Sequence, residues 1–445
     1  MISTRKNRFY FLAFTLVSAI LYFLFAYFLK RENIIPLFSF FALLAGLYYF
    51  ITKRTELLSE NYNYYVFVAF SFRVLFLFSI PALSDDFYRF IWDGRLILAG
   101  LNPYSYLPNQ IINEQIIGGA NNLALFHKMN SPNYFSVYPP VLQLVFFISA
   151  KLSFGYNAVA VINLRLFVLF AEFGTFIYLK KIIDFLKLNK TTIFLYLLNP
   201  LIIIELTGNL HFEAVMIFFL TASFYFLLIN RYSFSALFIA FAIAAKLIPL
   251  IFLPLIIKKI GLKNGLAYTT FSIGLIILMF LPFIDNQLIS NVGSSVSLYF
   301  QKFEFNASTY YLLREIGYKV VGYNAISIIG KILAITSTCL ILFISLKGIN
   351  KTWQDFFKRA LIILFIYYLL SLIVHPWYVS LLVLISVFTA NRFAILWSIL
   401  IFGSYFAYHA IPVKEIMWVI IFEYTVVVLF FLYENKKLKS IDVFN

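Results

Sequence analysis

Apolar residues run along this chain in long stretches, most of them about 17–24 residues and free of charge, divided by short polar connections. They fall at 9–29, 34–52, 63–83, 137–153, 158–180, 191–206, 213–230, 233–257, 265–283, 323–346, 359–374, 376–390, 393–409 and 414–433. A membrane-barrel strand would instead alternate apolar and polar positions over about ten residues. Inside a bilayer no water is present to bond the backbone, so the remaining solution is the helix. The pattern predicts an all-α, polytopic membrane protein with about 12–14 transmembrane helices, the shorter stretches being candidates for re-entrant or broken helices. No internal repeat or low-complexity linker divides it, and residues 1–445 read as one integral membrane domain. Two connections, 84–135 and 284–322, are longer than ordinary turns, and loops of that size commonly carry function.

The first of these loops opens on Ser84 to Pro108, S-D-D-F-Y-R-F-I-W-D-G-R-L-I-L-A-G-L-N-P-Y-S-Y-L-P. Ser84 is suited to cap a helix whose first turn carries Asp85 and Asp86, and Gly100 with Asn102-Pro103 stops that helix about four turns later. On it Asp85, Arg89 and Asp93 share one face at i, i+4 and i+8, with Asp86 beside them. Acidic residues favour a helix N-terminus, and Arg89–Asp93 is an ordinary ion-pair spacing, so a structural reading of these charges stands beside a functional one. The crowding of acidic, basic and aromatic residues directly after a membrane-length run favours function.

Composition changes this picture little. The chain is 62% hydrophobic and 12% charged with mean hydropathy +0.90, more apolar surface than one soluble core can hide. Its net charge of +16 is spread in clusters between spans, which marks topology and lipid-headgroup contact rather than a nucleic-acid surface. Arg5, Lys6, Arg8, Lys53, Arg54, Lys347, Lys351, Lys358, Arg359, Lys436 and Lys437 favour the cytoplasm. Both long loops and the His375 turn are then extracytoplasmic. Strict alternation of spans puts the basic stretch Lys180–Lys190 outside and Gly208–Glu213 inside. One crossing plus a re-entrant piece within 137–180 reverses both, and a break near Lys246 and Pro249 then restores the phase; this broken-helix version is the favoured one. The single cysteine, Cys339, excludes an intrachain disulfide, and four histidines leave little for a metal site.

Several motifs resemble a known family. D-D-F-Y-R-F-I-W-D-G-R with G-L-N-P-Y, then Y-F-S-V-Y-P-P-V-L-Q (Tyr134 to Gln143), look like the first external loop of GT-C fold glycosyltransferases, in particular polyprenol-phosphate-mannose-dependent mannosyltransferases. The same resemblance extends through N-P-L-I-I-I-E-L-T-G-N-L-H-F-E (Asn199 to Glu213), A-A-K-L-I-P (Ala244 to Pro249), F-E-F-N-A-S-T-Y-Y-L-L-R (Phe303 to Arg314) and H-P-W-Y (His375 to Tyr378). It implies a GT-C-like fold, a catalytic aspartate at Asp85 with Asp86 as its partner, and a polyprenyl-phosphate-linked hexose, mannose, as donor. The acceptor is expected to be a glycan or glycolipid hydroxyl, with a protein as the other option; the expected location is the outer face of a bacterial inner membrane, with the endoplasmic reticulum as the alternative. Phe87 stands where relatives with a D-x-D pattern carry a second acid, which speaks against a metal. No cofactor is expected, and a divalent metal is the less favoured alternative. Two of the spans before the acidic loop are extra to the simplest family layout.

Transfer from a lipid phosphate needs a base for the acceptor hydroxyl and cations for the charge that grows on the departing phosphate. Candidate phosphate contacts are Arg89, Lys246, His375 and Arg314; an intramembrane lysine such as Lys246 points to function by default. Tyr88, Trp92 and Tyr138 are candidate sugar or acceptor contacts, as are His211 and Glu213, whose other reading is the pairing of buried polar groups. Lys302 is a further loop candidate. A transporter or flippase for a lipid-linked sugar is the alternative, with inverted repeats and midplane substrate groups as its signature.

Overall fold

The computed structural model describes residues 2–112, 120–301, 303–347, 350–410 and 412–443. Lys302 lies outside the described residues. The fold is all-α; among the described residues the one sheet-like pairing is a single parallel bridge between Phe305 and Ile373. Among the described residues six helices are long and apolar enough to cross a bilayer: Tyr10–Tyr27, Ile34–Thr52, Asn157–Phe185, Leu262–Phe283, Ile326–Lys347 and Met417–Lys437. They define an integral membrane helical bundle. The other apolar stretches fold as shorter or interrupted helices, and each interruption has a visible cause.

The expected span 63–83 is helical only over Tyr62–Val74. Past the break, Arg165 of the Asn157–Phe185 helix donates to the Leu77 and Ser79 carbonyls at 3.0 and 2.6 Å, and to those of Thr207 and Gly208 at 2.9 and 3.0 Å. One buried guanidinium thus satisfies the loose carbonyls of two broken helices, a requirement wherever backbone is released inside a membrane. The second of those helices, Lys190–Leu197 with Pro200–Gly208, bends by 47°. Asn199 accepts from the Leu201 and Ile202 amides at 3.0 and 3.4 Å to restart it after the bend. It ends as a π-helix over Ile203–Gly208, a form that recurs at functional sites.

Pro140–Lys151 has 12 residues, roughly 18 Å of helix and too short for a hydrocarbon core of about 30 Å. It packs along Asp86–Leu98 instead, so closely that a Cβ on Gly94 would sit 2.2 Å from the Phe146 carbonyl oxygen. The following helix, Asn157–Phe185, makes the crossing. Its start is tied to the Asp86–Leu98 helix by Arg95, which donates to Gly155 O at 2.8 Å and Asn157 Oδ1 at 2.7 Å. Beyond its far end Lys190 lies over the Tyr62 ring, 5.8 Å away. Lys180–Lys190 therefore sits at one end of the bundle and Gly208–Glu213 at the other, with the acidic loop. The next break is at Lys246, whose backbone is extended (φ −156°, ψ 137°) directly after the Tyr232–Ala245 helix. This residue is placed at the end of a helix, not deep within a span.

Midway along the bundle Arg73 and Glu172, both fully buried, pair at 2.8 Å. Tyr196 Oη donates to Glu172 at 2.7 Å, and Arg73 Nη1 to the Ala69 and Leu197 carbonyls at 2.9 and 2.8 Å. Charges so deep persist only when paired and bonded throughout.

Candidate active site

The helix predicted from Ser84 forms over Asp86–Leu98. Ser84 Oγ accepts from the Asp86 amide at 3.3 Å, and Gly100, at φ +79°, follows the helix end in a left-handed conformation that glycine tolerates. The shared face divides by depth. Asp85 lies at the rim, its side chain 34% exposed, and pairs with Arg31 Nη2 at 2.7 Å. Asp86, also partly exposed, accepts from Asn130 Nδ2 at 2.9 Å. One and two turns on, the charges are closed off.

Arg89 is buried: Nε meets Asp93 Oδ1 at 2.6 Å, and Nη1 donates to the Ser131 and Tyr134 carbonyls at 3.1 and 2.7 Å. Asp93 accepts from Ser136 Oγ at 2.5 Å and Gln143 Nε2 at 3.2 Å, while Gln143 also donates to Tyr138 O at 3.2 Å. The Tyr134–Gln143 motif is thus the partner that folds beneath the helix. Arg89, a candidate phosphate contact, is committed to holding it there. Trp92 is fully buried beside Phe126, with no face open to a sugar. Tyr88 remains half-buried under Lys128, whose Nζ is 5.8 Å from its ring centre. Burial, with the Asp85 charge adding to it, raises the Tyr88 hydroxyl above its ordinary pKa. Tyr138 is half-buried, edge-on to Phe90 at 5.0 Å.

A second group meets this helix from the π-helical turn. Glu205, buried, accepts from Tyr405 Oη at 2.8 Å and Asn209 Nδ2 at 3.3 Å, and His211 Nδ1 lies 3.3 Å from its carboxylate. Asn209 Oδ1 accepts from the Leu83 amide at 3.3 Å, joining this turn to the residue before Ser84. Leu210, buried at φ +61°, makes the left-handed step that turns His211 inward. For a bulky residue this conformation costs about 1–2 kcal/mol, the kind of strain that gathers at functional sites.

His211 stacks on Trp377 with ring centres 3.5 Å apart, and Trp377 stacks on His375 at 4.4 Å. Phe305 lies 4.9 Å from the His375 ring. The bridge that brings it there is built from the Phe305 amide to Leu372 O at 3.0 Å and the Val374 amide to Phe305 O at 2.9 Å. Burial first, then the neighbouring His211 and Lys246, push His375 down to about 3. It is therefore a neutral ring at pH 7, able to offer a hydrogen bond but no charge to a phosphate. Lys246 pairs with Glu213, the first residue of the Glu213–Leu228 helix, and stands 5.0 Å from the Tyr378 ring centre. Glu213 thus takes up the lysine and His211 a glutamate, the pairing expected of buried polar groups.

Arg314 is held apart from these groups by a separate network, bonded to Glu304 at 2.5 Å and Glu315 at 3.2 Å. Nearby, Glu415 accepts from the Asn306 amide at 2.5 Å and from Tyr311 Oη, and Asn306 Nδ2 reaches Glu423 at 3.1 Å. This network anchors the 303–314 segment to the Met417 helix. Its link to the site is the Phe305 contact with His375.

Arg31, Glu205, Tyr405 and Tyr408 also belong to the site, although they are not among the candidates read from the sequence. Arg31 stands 5.0 Å over the Tyr408 ring, and Tyr408 lies within electrostatic reach of Asp85, Asp86 and Glu205. Glu205 had a signal, an acid within an apolar run. Arg31 had none, since an arginine after a first span is an ordinary flank. No group of three or more His, Cys, Asp or Glu side chains that could hold a metal occurs among the described residues.

Asp85 and Asp86 at the rim, and the chain of contacts through Glu205, His211 and Trp377 to His375, lie at the same end of the bundle. Residues 29–260, just over half of the chain, match the MptA/B family model, described as alpha-(1→6)-mannopyranosyltransferase, N-terminal domain. The chain belongs to this family of GT-C fold mannosyltransferases. No curated protein and no solved structure matches it.

Proposed function

We propose that the protein is an inverting mannosyltransferase that moves a hexose from a polyprenyl-phosphate donor to an acceptor hydroxyl of a glycan or glycolipid. The observation that carries this reading is the position of Asp85, open at the rim of the Asp86–Leu98 helix and joined through Asn209 and Glu205 to the turn that carries His211. Asp85 takes the proton as the acceptor oxygen attacks the anomeric carbon. The bond from that carbon to phosphate oxygen breaks, and the polyprenyl phosphate leaves with the electron pair. A single displacement inverts the configuration, and one carboxylate suffices. Lys246 offsets charge on the departing phosphate, His375 donates a hydrogen bond as a neutral ring, and Asp86 and Tyr88 orient the acceptor.

The family's description adds an α-(1→6) linkage as the expected product geometry. In this reading residues 1–445 act as one unit in a bacterial inner membrane with this end of the bundle extracytoplasmic, an orientation supported by the basic clusters at the termini and between spans. The test is sugar transfer in membranes supplied with lipid-linked mannose. Asp85→Asn, expressed at the normal level, is expected to lose about a thousandfold in rate, and undiminished transfer would remove Asp85 as the base.

A further inference from the structure

The carboxylates around the site outnumber its cations: Asp85, Asp86, Glu205 and Glu213 face Arg31, Lys246 and, over the Tyr88 ring, Lys128, and Lys246 is already paired. An anionic donor is drawn into such a site more strongly when a cation turns from a carboxylate to the phosphate. The arginines differ in how far they are free to do so. Arg73, Arg89 and Arg165 each bond three or more groups and are buried. Arg31 sits in the connection between the first two long helices with its side chain 25% exposed. It touches Asp85 through Nη2 alone at 2.7 Å and Glu32 through Nε at 3.5 Å. Its guanidinium carbon stands 5.0 Å over the Tyr408 ring centre, a cation–π support that is independent of the Asp85 bond.

We infer that Arg31 is a further catalytic residue, an exchangeable counter-ion that pairs with Asp85 in the empty site and with the phosphate of the lipid donor in the loaded one. This rests on the donor and base assigned above. Movement of Arg31 to the phosphate does two things: it supplies charge where the leaving group develops it, and it uncovers Asp85 for the acceptor hydroxyl. The base is thereby free of its counter-ion only when a donor is present.

The exchange makes a prediction about binding that does not depend on turnover. In detergent, polyprenyl monophosphate is expected to bind Arg31→Gln roughly tenfold more weakly than the unaltered protein, the scale of one lost charge-assisted contact. Asp85→Asn, which frees Arg31, is expected to bind it several-fold more tightly, and the double variant to match Arg31→Gln. Arg31→Lys keeps the charge and should recover part of the affinity, and the uncharged polyprenol should bind all of them alike. A thermal unfolding curve of each variant separates lost binding from lost folding. Equal affinity of Arg31→Gln and the unaltered protein, or an Asp85→Asn gain that survives in the double variant, overturns the exchange. Undiminished transfer by Asp85→Asn overturns the base assignment instead and leaves the binding result standing on its own.

Discussion

Two sets of charges in this bundle contain much the same chemistry and differ in how far it is satisfied. At mid-bundle Arg73, Glu172, Tyr196 and two carbonyls close on one another without exposed surface. At the Asp85 end, three charged groups have fewer partners and part of their surface open: Asp85 meets Arg31, Asp86 meets Asn130, and Lys246 meets Glu213. Burying charge is costly enough that a saturated network reads as structure. A sparsely bonded one has donors and acceptors left for a ligand. Residue type alone does not separate the two sets. Arg89 and Arg31 both pair with an aspartate of the same loop, yet only Arg31 is positioned to let go.

The comparison breaks most sharply at mid-bundle. Glu172→Leu should leave Arg73 uncompensated and cost about 3–5 kcal/mol, seen as a lower unfolding temperature in detergent. Arg73→Met should cost less, because a lone carboxylate can take up a proton whereas a guanidinium cannot lose one. Equal and small losses would mean that the network is not holding the helices. At the site end the order of effects reverses, with activity lost before stability. Lys246→Met is expected to slow transfer about a hundredfold with a modest change in unfolding, and Lys246→Arg to recover part of the rate. A transport role would instead show normal movement of the lipid-linked sugar without transfer. Smallest is Arg314→Gln: with Glu304 and Glu315 already claiming the guanidinium, transfer should stay within about threefold and stability within about 1 kcal/mol. A larger loss of donor affinity would return Arg314 to the phosphate site.

How much of the site was legible follows the range of the interactions. Asp86 and Gly100 announced their helix because end preferences act within a few residues, although the cap position falls to Asp85 rather than Ser84 and carries no side-chain cap bond. The spacing of Arg89 and Asp93 announced an ion pair for the same reason. The interruption at Lys246 could be read because a charge inside an apolar run must find water or a partner. That Trp92 would be buried while Tyr88 stayed half-open was beyond such reasoning, since both lie in the same aromatic-rich helix and the packing of Phe126 and Lys128 decides between them. The neutral state of His375 was hidden as well, because it arises from rings and charges brought from three other segments.

The sequence by itself determined that this chain lives in a bilayer, that it is helical, and that acidic residues cluster after the third apolar run. Those properties follow from hydropathy, backbone hydrogen bonding and local spacing, which need no knowledge of neighbours. Only the tertiary structure decided which apolar runs break and which charges close. Arg165 had to meet four carbonyls from two helices, and Arg31 had to meet Asp85 across more than fifty residues of chain. Long-range partners set burial and satisfaction, and these separate a structural charge from a reactive one.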